Sequence, residues 1–263
     1  MTLELSKELE KAIQAVLEAG DCIREVYKRD FNIEIKEDDS PVTEADIKAN
    51  TAIMSILRPH FPQYGFLTEE EKDNSERLEK EWCWIIDPLD GTKEFIKRND
   101  EFTVNIALSH YREVVLGVVY APMFDELYFA VKDQGAFKRS ADGTDVQIHV
   151  SDRTEGLHGL QSQSKPIDMC INIFDMHEEL IASISKLGSS LKGCRIAEGL
   201  HDVYFNCGRS MVWDTAAVEC IVVEAGGLLK QLNGNPIVYN AEKIVNDRGF
   251  YVLNREENNL PFR

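Results

Sequence analysis

Apolar residues recur along the chain with two alternating periods, which predict helices and strands from one end to the other. Near the amino terminus the spacing is close to 3.6 residues, so residues 3–29 predict one long amphipathic helix. The residues that set this spacing are Leu5, Leu9, Ile13, Val16, Ile23 and Val26. Thr43 and Asp46 resemble a capping box, which predicts that a second helix begins there and ends near Pro59.

Shorter apolar runs bounded by turn residues predict strands. In the first half of the chain we predict strands at 31–35, 65–67, 82–86, 102–108, 114–120 and 127–131. In the second half we predict strands near 146–150, 157–161, 202–205, 228–232 and 250–253, and helices near 175–187, 190–198 and 214–225. The charged stretch that ends at Lys80 is predicted to be a solvated excursion.

This order of elements predicts an α/β (α+β) fold, a layered sandwich of alternating helices and sheets. The sequence has no repeat, low-complexity tract or Pro/Ser linker. We therefore expect an amino-terminal half, 1–140, and a carboxy-terminal half, 141–263, that pack as one catalytic unit.

Composition limits the partners. The 263 residues carry a formal net charge of −17, which argues against a nucleic-acid polymer or an anionic membrane surface as the ligand. No apolar run is long enough to span a bilayer, and residues 1–11 lack the apolar core of a signal peptide, so we expect a cytoplasmic protein. The six cysteines form no C-x-x-C pair, and we expect reduced, mostly packed thiols.

The densest chemical signal is Asp87-Pro88-Leu89-Asp90-Gly91-Thr92, directly after the apolar run 82–86. The end of a buried strand would fix Asp87, and Asp90 can return to the same side with the Leu89 carbonyl between them. Two carboxylates and a carbonyl are the hard oxygen ligands that suit Mg²⁺. The simpler interpretation is that Asp87 and Asp90 only form a turn.

Three further acidic elements lie at strand ends or helix starts, namely Glu69-Glu70, Asp46 and Asp214. Taken singly, Asp214 would be an ordinary helix N-cap and Glu69 to Glu71 a solvated charge run. Four acidic elements in such positions favour a metal site over four unrelated turns. The six histidines have no metal-ligand spacing and are expected to be surface or packed residues.

Residues 87–92 together with Trp213-Asp214-Thr215-Ala216-Ala217 resemble the paired signature of the inositol monophosphatase superfamily of lithium-sensitive, Mg²⁺-dependent phosphatases. The longer string 87–96, the segment 188–192 and the strand 102–108 resemble its nucleotidase branch, which acts on 3′-phosphoadenosine 5′-phosphate. The similarity extends from about Lys36 to Gly227.

The resemblance implies roles for individual residues. The residues implied to hold two or three Mg²⁺ ions are Glu69, Asp87, Leu89 through its carbonyl, Asp90 and Asp214. Asp46 and Thr92, with Glu69, are implied to activate the attacking water. The residues implied to contact the substrate are Gly91, Thr92, Gly188, Ser189, Ser190, Lys192 and Asp214. The chain departs from the family pattern at 151–176 and 207–210, where Lys165 and Arg209 are the candidate basic substitutes.

The resemblance thus implies a Mg²⁺-dependent phosphatase of sulfur metabolism that removes the 3′-phosphate of 3′-phosphoadenosine 5′-phosphate, and of 3′-phosphoadenylyl sulfate, with metal-activated water. A side-chain nucleophile is not expected, because the sequence contains no G-x-S-x-G elbow, no cysteine followed six positions later by arginine and no P-loop. An inositol or sugar phosphate phosphatase with the same metal site is the alternative within enzymes. A non-catalytic protein that binds divalent metal is the alternative from another class. The expected partner is a small phosphorylated metabolite, and a homodimer is left open.

Overall fold

The computed structural model describes residues 4–35, 41–140, 142–164 and 168–260. Its α-helices are α1 (Ser6–Tyr27), α2 (Glu44–His60), α3 (Thr92–Lys97), α4 (Asp168–Met176), α5 (Leu191–Ala197) and α6 (Ala216–Glu224). Its strands are β1 (Ile33–Ile35), β2 (Pro41–Thr43), β3 (Gly65–Thr68), β4 (Trp82–Asp90), β5 (Thr103–His110), β6 (Glu113–Ala121), β7 (Glu126–Val131), β8 (Ala136–Arg139), β9 (Asp145–Ile148), β10 (Leu157–Ser162), β11 (Ile181–Leu187), β12 (Val203–Asn206), β13 (Ser210–Met211), β14 (Leu228–Gln231), β15 (Val245–Asn246) and β16 (Phe250–Leu253).

The larger sheet of the described residues has the strand order β3-β4-β5-β6-β7-β8-β9, parallel at β3–β4 and antiparallel elsewhere. Successive side chains of a strand point to opposite faces, and both faces of β4 are buried. Trp84 and Ile86 pack in the core beneath α1 and α2, whereas Cys83 and Ile85 belong to the core around α6. The larger sheet is therefore covered by helices on both sides.

The second sheet has the order β11-β10-β12-β16-β14. Tyr204 and Val252 share the core of α5 and α6, while Phe205 and Tyr251 pack with α4 on the opposite face. The layers are therefore, in order, α1 with α2, the larger sheet, α5 with α6, the second sheet, and α4. This architecture confirms the predicted sandwich of alternating helices and sheets.

Two predicted segments are wrong. Residues 175–187 were predicted to form a helix, but α4 ends at Met176, and after a 3₁₀ turn at Glu178–Leu180 the chain continues as β11. Ile181, Ile184 and Leu187 recur every three residues and so resemble a helix, but β11 is an exposed edge strand paired in parallel with β10. The stretch before Lys80 is not wholly solvated either, because the 3₁₀ turn Ser75–Glu79 buries the Arg77 side chain.

The expectation that all cysteines are reduced is also wrong. Cys170 on α4 and Cys207 after β12 form a disulfide with their Cα atoms 5.9 Å apart, because α4 packs directly on the strand that precedes Cys207. Cys22, Cys83, Cys194 and Cys220 are free thiols, as expected. Among the helices described, even the 22-residue α1 lacks the apolar length that crossing a membrane requires.

Candidate active site

A cavity of about 750 Å³ receives side chains from both halves of the chain. Most of the residues singled out in the sequence line it: Glu69, Asp87, Leu89, Asp90, Gly91, Thr92, Ser189, Ser190, Lys192 and Asp214. Asp46 lies behind Thr92, and Gly188 lies behind Ser189, so neither lines the cavity itself. The structure therefore brings residues that are up to 168 positions apart in the sequence to one place.

Strand β4 carries the central motif to the cavity. The Glu69 amide donates to the Ile86 carbonyl at 3.2 Å, which places Glu69 beside the end of β4. The pairing of β4 with β5 is interrupted between Asp87 and Asp90, and the Leu89 amide donates to Asp87 Oδ1 at 3.0 Å. Gly91 has a φ of 96°, a left-handed conformation that glycine adopts without strain, and the chain then enters α3. This bulge explains why two aspartates three positions apart both reach the cavity.

The acidic residues repel one another. Asp87 is 2% exposed, and its pKa lies well above the ordinary value because burial and the nearby charges of Glu69, Asp90, Asp214 and Glu70 all disfavour its ionised form. A bound cation would offset this repulsion, and a donor set made only of oxygen fits a hard divalent ion. No set of three or more Asp, Glu, His or Cys side chains within the described residues converges closely enough to mark a preformed metal centre.

Asp46 and Thr92 form a buried hydrogen-bonded pair. The Thr43 amide and hydroxyl each donate to Asp46 Oδ2 at 2.7 Å, which is the capping box predicted at the start of α2. Asp46 Oδ1 is left to accept from the Thr92 hydroxyl at 3.1 Å. Burial raises the pKa of Asp46 to about 6, although the bonds from Thr43 and Thr92 act against the rise. With its proton directed at Asp46, the Thr92 oxygen can accept a hydrogen bond from a water in the cavity.

Two amides of the segment 188–192 are hydrogen-bonded to carboxylates of the protein. The Gly188 amide donates to Glu101 Oε2 at 2.9 Å, and the Ser190 amide and hydroxyl each donate to Asp90 Oδ2 at 2.7 Å. These carboxylates lie 87 and 100 positions away in the sequence, so local analysis could not find them. The Gly188 and Ser190 amides are therefore not available as donors to a ligand.

Lys192 is the buried cation of this segment. Its side chain is 7% exposed, its Nζ donates to the Ser189 carbonyl at 2.6 Å, and it lies over the Tyr204 ring at 5.1 Å from the centroid. Burial lowers its pKa, while the charges of Asp90, Glu94, Glu101 and Asp214 act in the opposite direction. An ammonium has three N–H donors, so two are not used by the described residues and can serve a ligand in the cavity. Lys192 is therefore a buried residue of the cavity and not a solvated residue on the surface of α5.

The cavity also includes residues that sequence analysis missed. The Asn105 side chain donates to Ser190 Oγ at 2.9 Å and to Asp90 Oδ2 at 3.2 Å, which joins β5 to the acidic group. Its signal was available, since Asn105 is a polar residue inside the apolar strand 102–108. Ser210 lines the cavity, and its buried hydroxyl has no hydrogen-bond partner among the described residues. Of the two candidate basic substitutes, Arg209 lines the cavity and Lys165 lies outside the described residues.

Three comparisons bear on this arrangement. The model of a family described as "Inositol monophosphatase family" matches residues 4–259. The 3′(2′),5′-bisphosphate nucleotidase CysQ of Buchnera aphidicola is 39% identical over 251 residues, covering 93% of each chain. The enzyme of the same name from Salmonella typhimurium is 40% identical over 248 residues, covering 93% of this chain and 98% of that protein.

Solved structures give the same result. The crystal structure of CysQ from Bacteroides thetaiotaomicron, described as a bacterial member of the inositol monophosphatase family, superposes with a TM-score of 0.82 at 36% identity. It covers 95% of this chain and 98% of that chain. The IMPase of Thermotoga maritima superposes with a TM-score of 0.80 at 28% identity, covering 94% and 92% of the two chains.

Proposed function

The chain belongs to the inositol monophosphatase family, as its paired motifs predicted, and on that premise we propose that it is a Mg²⁺-dependent 3′(2′),5′-bisphosphate nucleotidase. Two curated relatives that carry this name share about two fifths of their residues with nearly the whole chain. The family consists of phosphoric monoester hydrolases, so the protein is an enzyme. The proposed reaction removes the 3′-phosphate of 3′-phosphoadenosine 5′-phosphate, or of 3′-phosphoadenylyl sulfate, which would place the enzyme in sulfur metabolism.

The observation that carries the substrate proposal is one cavity that combines an acidic group with a buried lysine. The acidic group suits metal ions and therefore the phosphate that is cleaved. Lys192, on the α5 side of the cavity, offers a second and separate site for an anion. A nucleotide with two phosphates can use both sites, whereas inositol 1-phosphate can use only one. Binding energy from the second phosphate can then be used in the chemical step.

The proposed metal ligands are Glu69, Asp87, the Leu89 carbonyl, Asp90 and Asp214. Bound Mg²⁺, two or three ions in the proposal, would supply a water of lowered pKa and positive charge that neutralises the leaving oxygen. Ser190 and Asn105 donate to Asp90 Oδ2, through the hydrogen bonds already described, and so fix the orientation of this carboxylate. An outer set of partners of this kind orients metal ligands.

Thr92 and Asp46 are the proposed water-orienting pair, with Glu69 as their acidic neighbour. Asp46 accepts a hydrogen bond from the Thr92 hydroxyl, so the Thr92 oxygen is left as an acceptor that would align a water for attack on phosphorus. Gly91 and Thr92, where the chain turns into α3, are proposed to contact the phosphate that is cleaved. Among the proposed substrate residues of the segment 188–192, Ser189 and Lys192 contact the rest of the nucleotide, while the Gly188 and Ser190 amides hold the loop in place.

A substrate panel tests the proposal. We expect 3′-phosphoadenosine 5′-phosphate to be hydrolysed with a kcat/KM well above those for inositol 1-phosphate and fructose 1,6-bisphosphate. Activity should disappear with EDTA, return with Mg²⁺ but not with Ca²⁺, and fall when Li⁺ is added at fixed Mg²⁺. A preference for inositol 1-phosphate would support the inositol phosphatase alternative, which the Thermotoga maritima neighbour makes worth testing. Metal binding without turnover of any ester would support a non-catalytic role.

A further inference from the structure

The segment between β14 and β15 has no regular secondary structure, yet two of its adjacent residues are buried. Tyr239 is 0% exposed and Asn240 is 3% exposed, whereas their neighbour Val238 is 49% exposed. The Tyr239 amide donates to the Arg112 carbonyl in the turn between β5 and β6. Burial of two polar side chains in an irregular segment requires specific partners for both of them.

Tyr239 lies at the end of a hydrogen-bonded chain that leads to the Asp214 turn. Its hydroxyl is 2.5 Å from Glu219 Oε2 and 3.3 Å from Thr215 Oγ1, and Thr215 Oγ1 donates to the Val212 carbonyl at 3.2 Å. Both Glu219 Oε2 and Thr215 Oγ1 lie where they can accept from the Tyr239 hydroxyl, and burial raises the pKa of Glu219 to about 8. The phenol therefore connects Glu219 with Thr215, the residue that follows Asp214.

Asn240 is hydrogen-bonded to the segment that connects Glu69 with β4. Its Nδ2 donates to the Arg77 carbonyl at 2.9 Å, and its Oδ1 accepts from Arg77 Nη1 at 2.9 Å. Arg77 also donates to both carboxylate oxygens of Asp73. It lies in the 3₁₀ turn Ser75–Glu79, on the connection between Glu69 and β4. Two adjacent residues thus contact the supports of acidic elements that are about 140 positions apart in the sequence.

We propose that Tyr239 is a positioning residue that, through Thr215 and with Asn240 as its anchor on Arg77, holds Asp214 in register with Glu69 and Asp87. This inference rests on the metal site of the proposed function. Metal ligands must be held to within about half an ångström, and removing an outer hydrogen-bond partner of a metal site typically weakens metal affinity about 10- to 100-fold. The Tyr239 hydroxyl is an outer partner of this kind. It acts on the ligand Asp214 indirectly, because it is hydrogen-bonded to the next residue, Thr215.

The test is the affinity of Tyr239→Phe for Mn²⁺ alone, measured by titration calorimetry on the whole chain without substrate. Tyr128→Phe is the matched control, because Tyr128 is equally buried and its hydroxyl binds Glu126 and Glu198 outside the cavity. We expect Tyr239→Phe to bind Mn²⁺ roughly tenfold more weakly, with a matching rise in the Mg²⁺ concentration for half-maximal activity. Tyr128→Phe is expected to bind as the wild type does.

Equal Mn²⁺ affinities of wild type and Tyr239→Phe would overturn the positioning role and leave the metal site intact. Equal losses in the two tyrosine variants would also overturn it, because the effect would then be general loosening of the core. If the wild type binds no Mn²⁺, both the positioning role and the proposed metal site are wrong. Should Tyr239→Phe fail to fold, Thr215→Val removes the other end of the same contact and has to give the same loss, or the role is refuted.

Discussion

Replacing Lys192 by methionine tests whether the cavity recognises a second phosphate. Methionine keeps the unbranched apolar stem, and removes the charge, its donors and the contact of Nζ with the Tyr204 ring. Among the described residues the native ammonium donates one hydrogen bond, to the Ser189 carbonyl, so most of its donor capacity is available to a ligand. Because burial already disfavours the charged lysine, losing the charge should cost the fold little.

The size of the effect follows from the contact that is lost. A hydrogen bond to a charged group contributes about 1.5–3 kcal/mol, which corresponds to roughly 10- to 150-fold in kcat/KM. This loss should appear with 3′-phosphoadenosine 5′-phosphate, whose second phosphate is the proposed partner of Lys192. Removing the cation also leaves Asp90 and Asp214 less shielded, but that change affects both substrates equally. The ratio of the two kcat/KM values is therefore the quantity that reports recognition.

The assay compares kcat/KM for the bisphosphate nucleotide and for inositol 1-phosphate at one ionic strength, since anion binding is screened by salt. Lys132→Met serves as the control for net charge, because Lys132 is exposed and pairs with Glu113 away from the cavity. Equal losses on both substrates, or a ratio that Lys192→Met leaves unchanged, would refute the second-phosphate site. The metal-dependent phosphatase would survive that result.

Three further predictions use the electrostatics of the site. Asp87→Asn and Asp214→Asn should each abolish Mg²⁺-dependent turnover, and turnover near the wild-type value would contradict the ligand assignment. Scanning calorimetry should find metal-free Asp87→Asn at least as stable as the wild type, because the repulsion between buried carboxylates is relieved. Because the pKa of Asp46 is raised to about 6, kcat/KM measured from pH 5 to 8 should fall as pH drops through about 6. With bound cations, which favour the ionised carboxylate, the fall should come at a somewhat lower pH. A flat profile would contradict the role of Asp46 as hydrogen-bond acceptor. Burial raises the pKa of Glu219 to about 8, so the contribution of its protonated form to stability is complete below its ordinary pKa and is lost as pH rises towards 8. The slope is at most about 1.4 kcal/mol per pH unit. In denaturant titrations, the free energy of unfolding of metal-free Glu219→Gln should decline less steeply with pH than that of the wild type, and parallel declines would contradict this.

Local patterns in the sequence predicted the parts of the site that local geometry determines. The apolar run before Asp87 predicted a buried strand end, and Thr43 with Asp46 predicted the capping box that now orients the Asp46 carboxylate. The bulge between Asp87 and Asp90 follows from the same short motif. In each of these cases the residues that determine the geometry are a few positions apart.

Contacts between distant segments could not be predicted in this way. From the sequence alone, the amides of Gly188 and Ser190 resemble an anion site. In the structure they donate to Glu101 and Asp90, which are distant in the sequence. Tyr239 and Asn240 lie in a segment without periodic pattern, so nothing local distinguishes them from loop residues. Their partners Thr215 and Arg77 are identified only when the layers of the sandwich are assembled.

The charge of the cavity implies an order of binding. Among the described residues that line it, five carboxylates (Glu69, Asp87, Asp90, Glu94 and Asp214) face three cations (Lys93, Lys192 and Arg209). A doubly phosphorylated nucleotide entering this cavity without metal would meet net repulsion, in a protein whose formal charge is already −17. Divalent ions at the proposed ligands reverse that sign locally. The buried lysine alone cannot do so, because its charge is countered by the acidic residues around it. Divalent metal thus makes the acidic protein compatible with an anionic substrate. Nucleotide affinity should therefore depend on the metal concentration even in a variant that cannot hydrolyse the nucleotide.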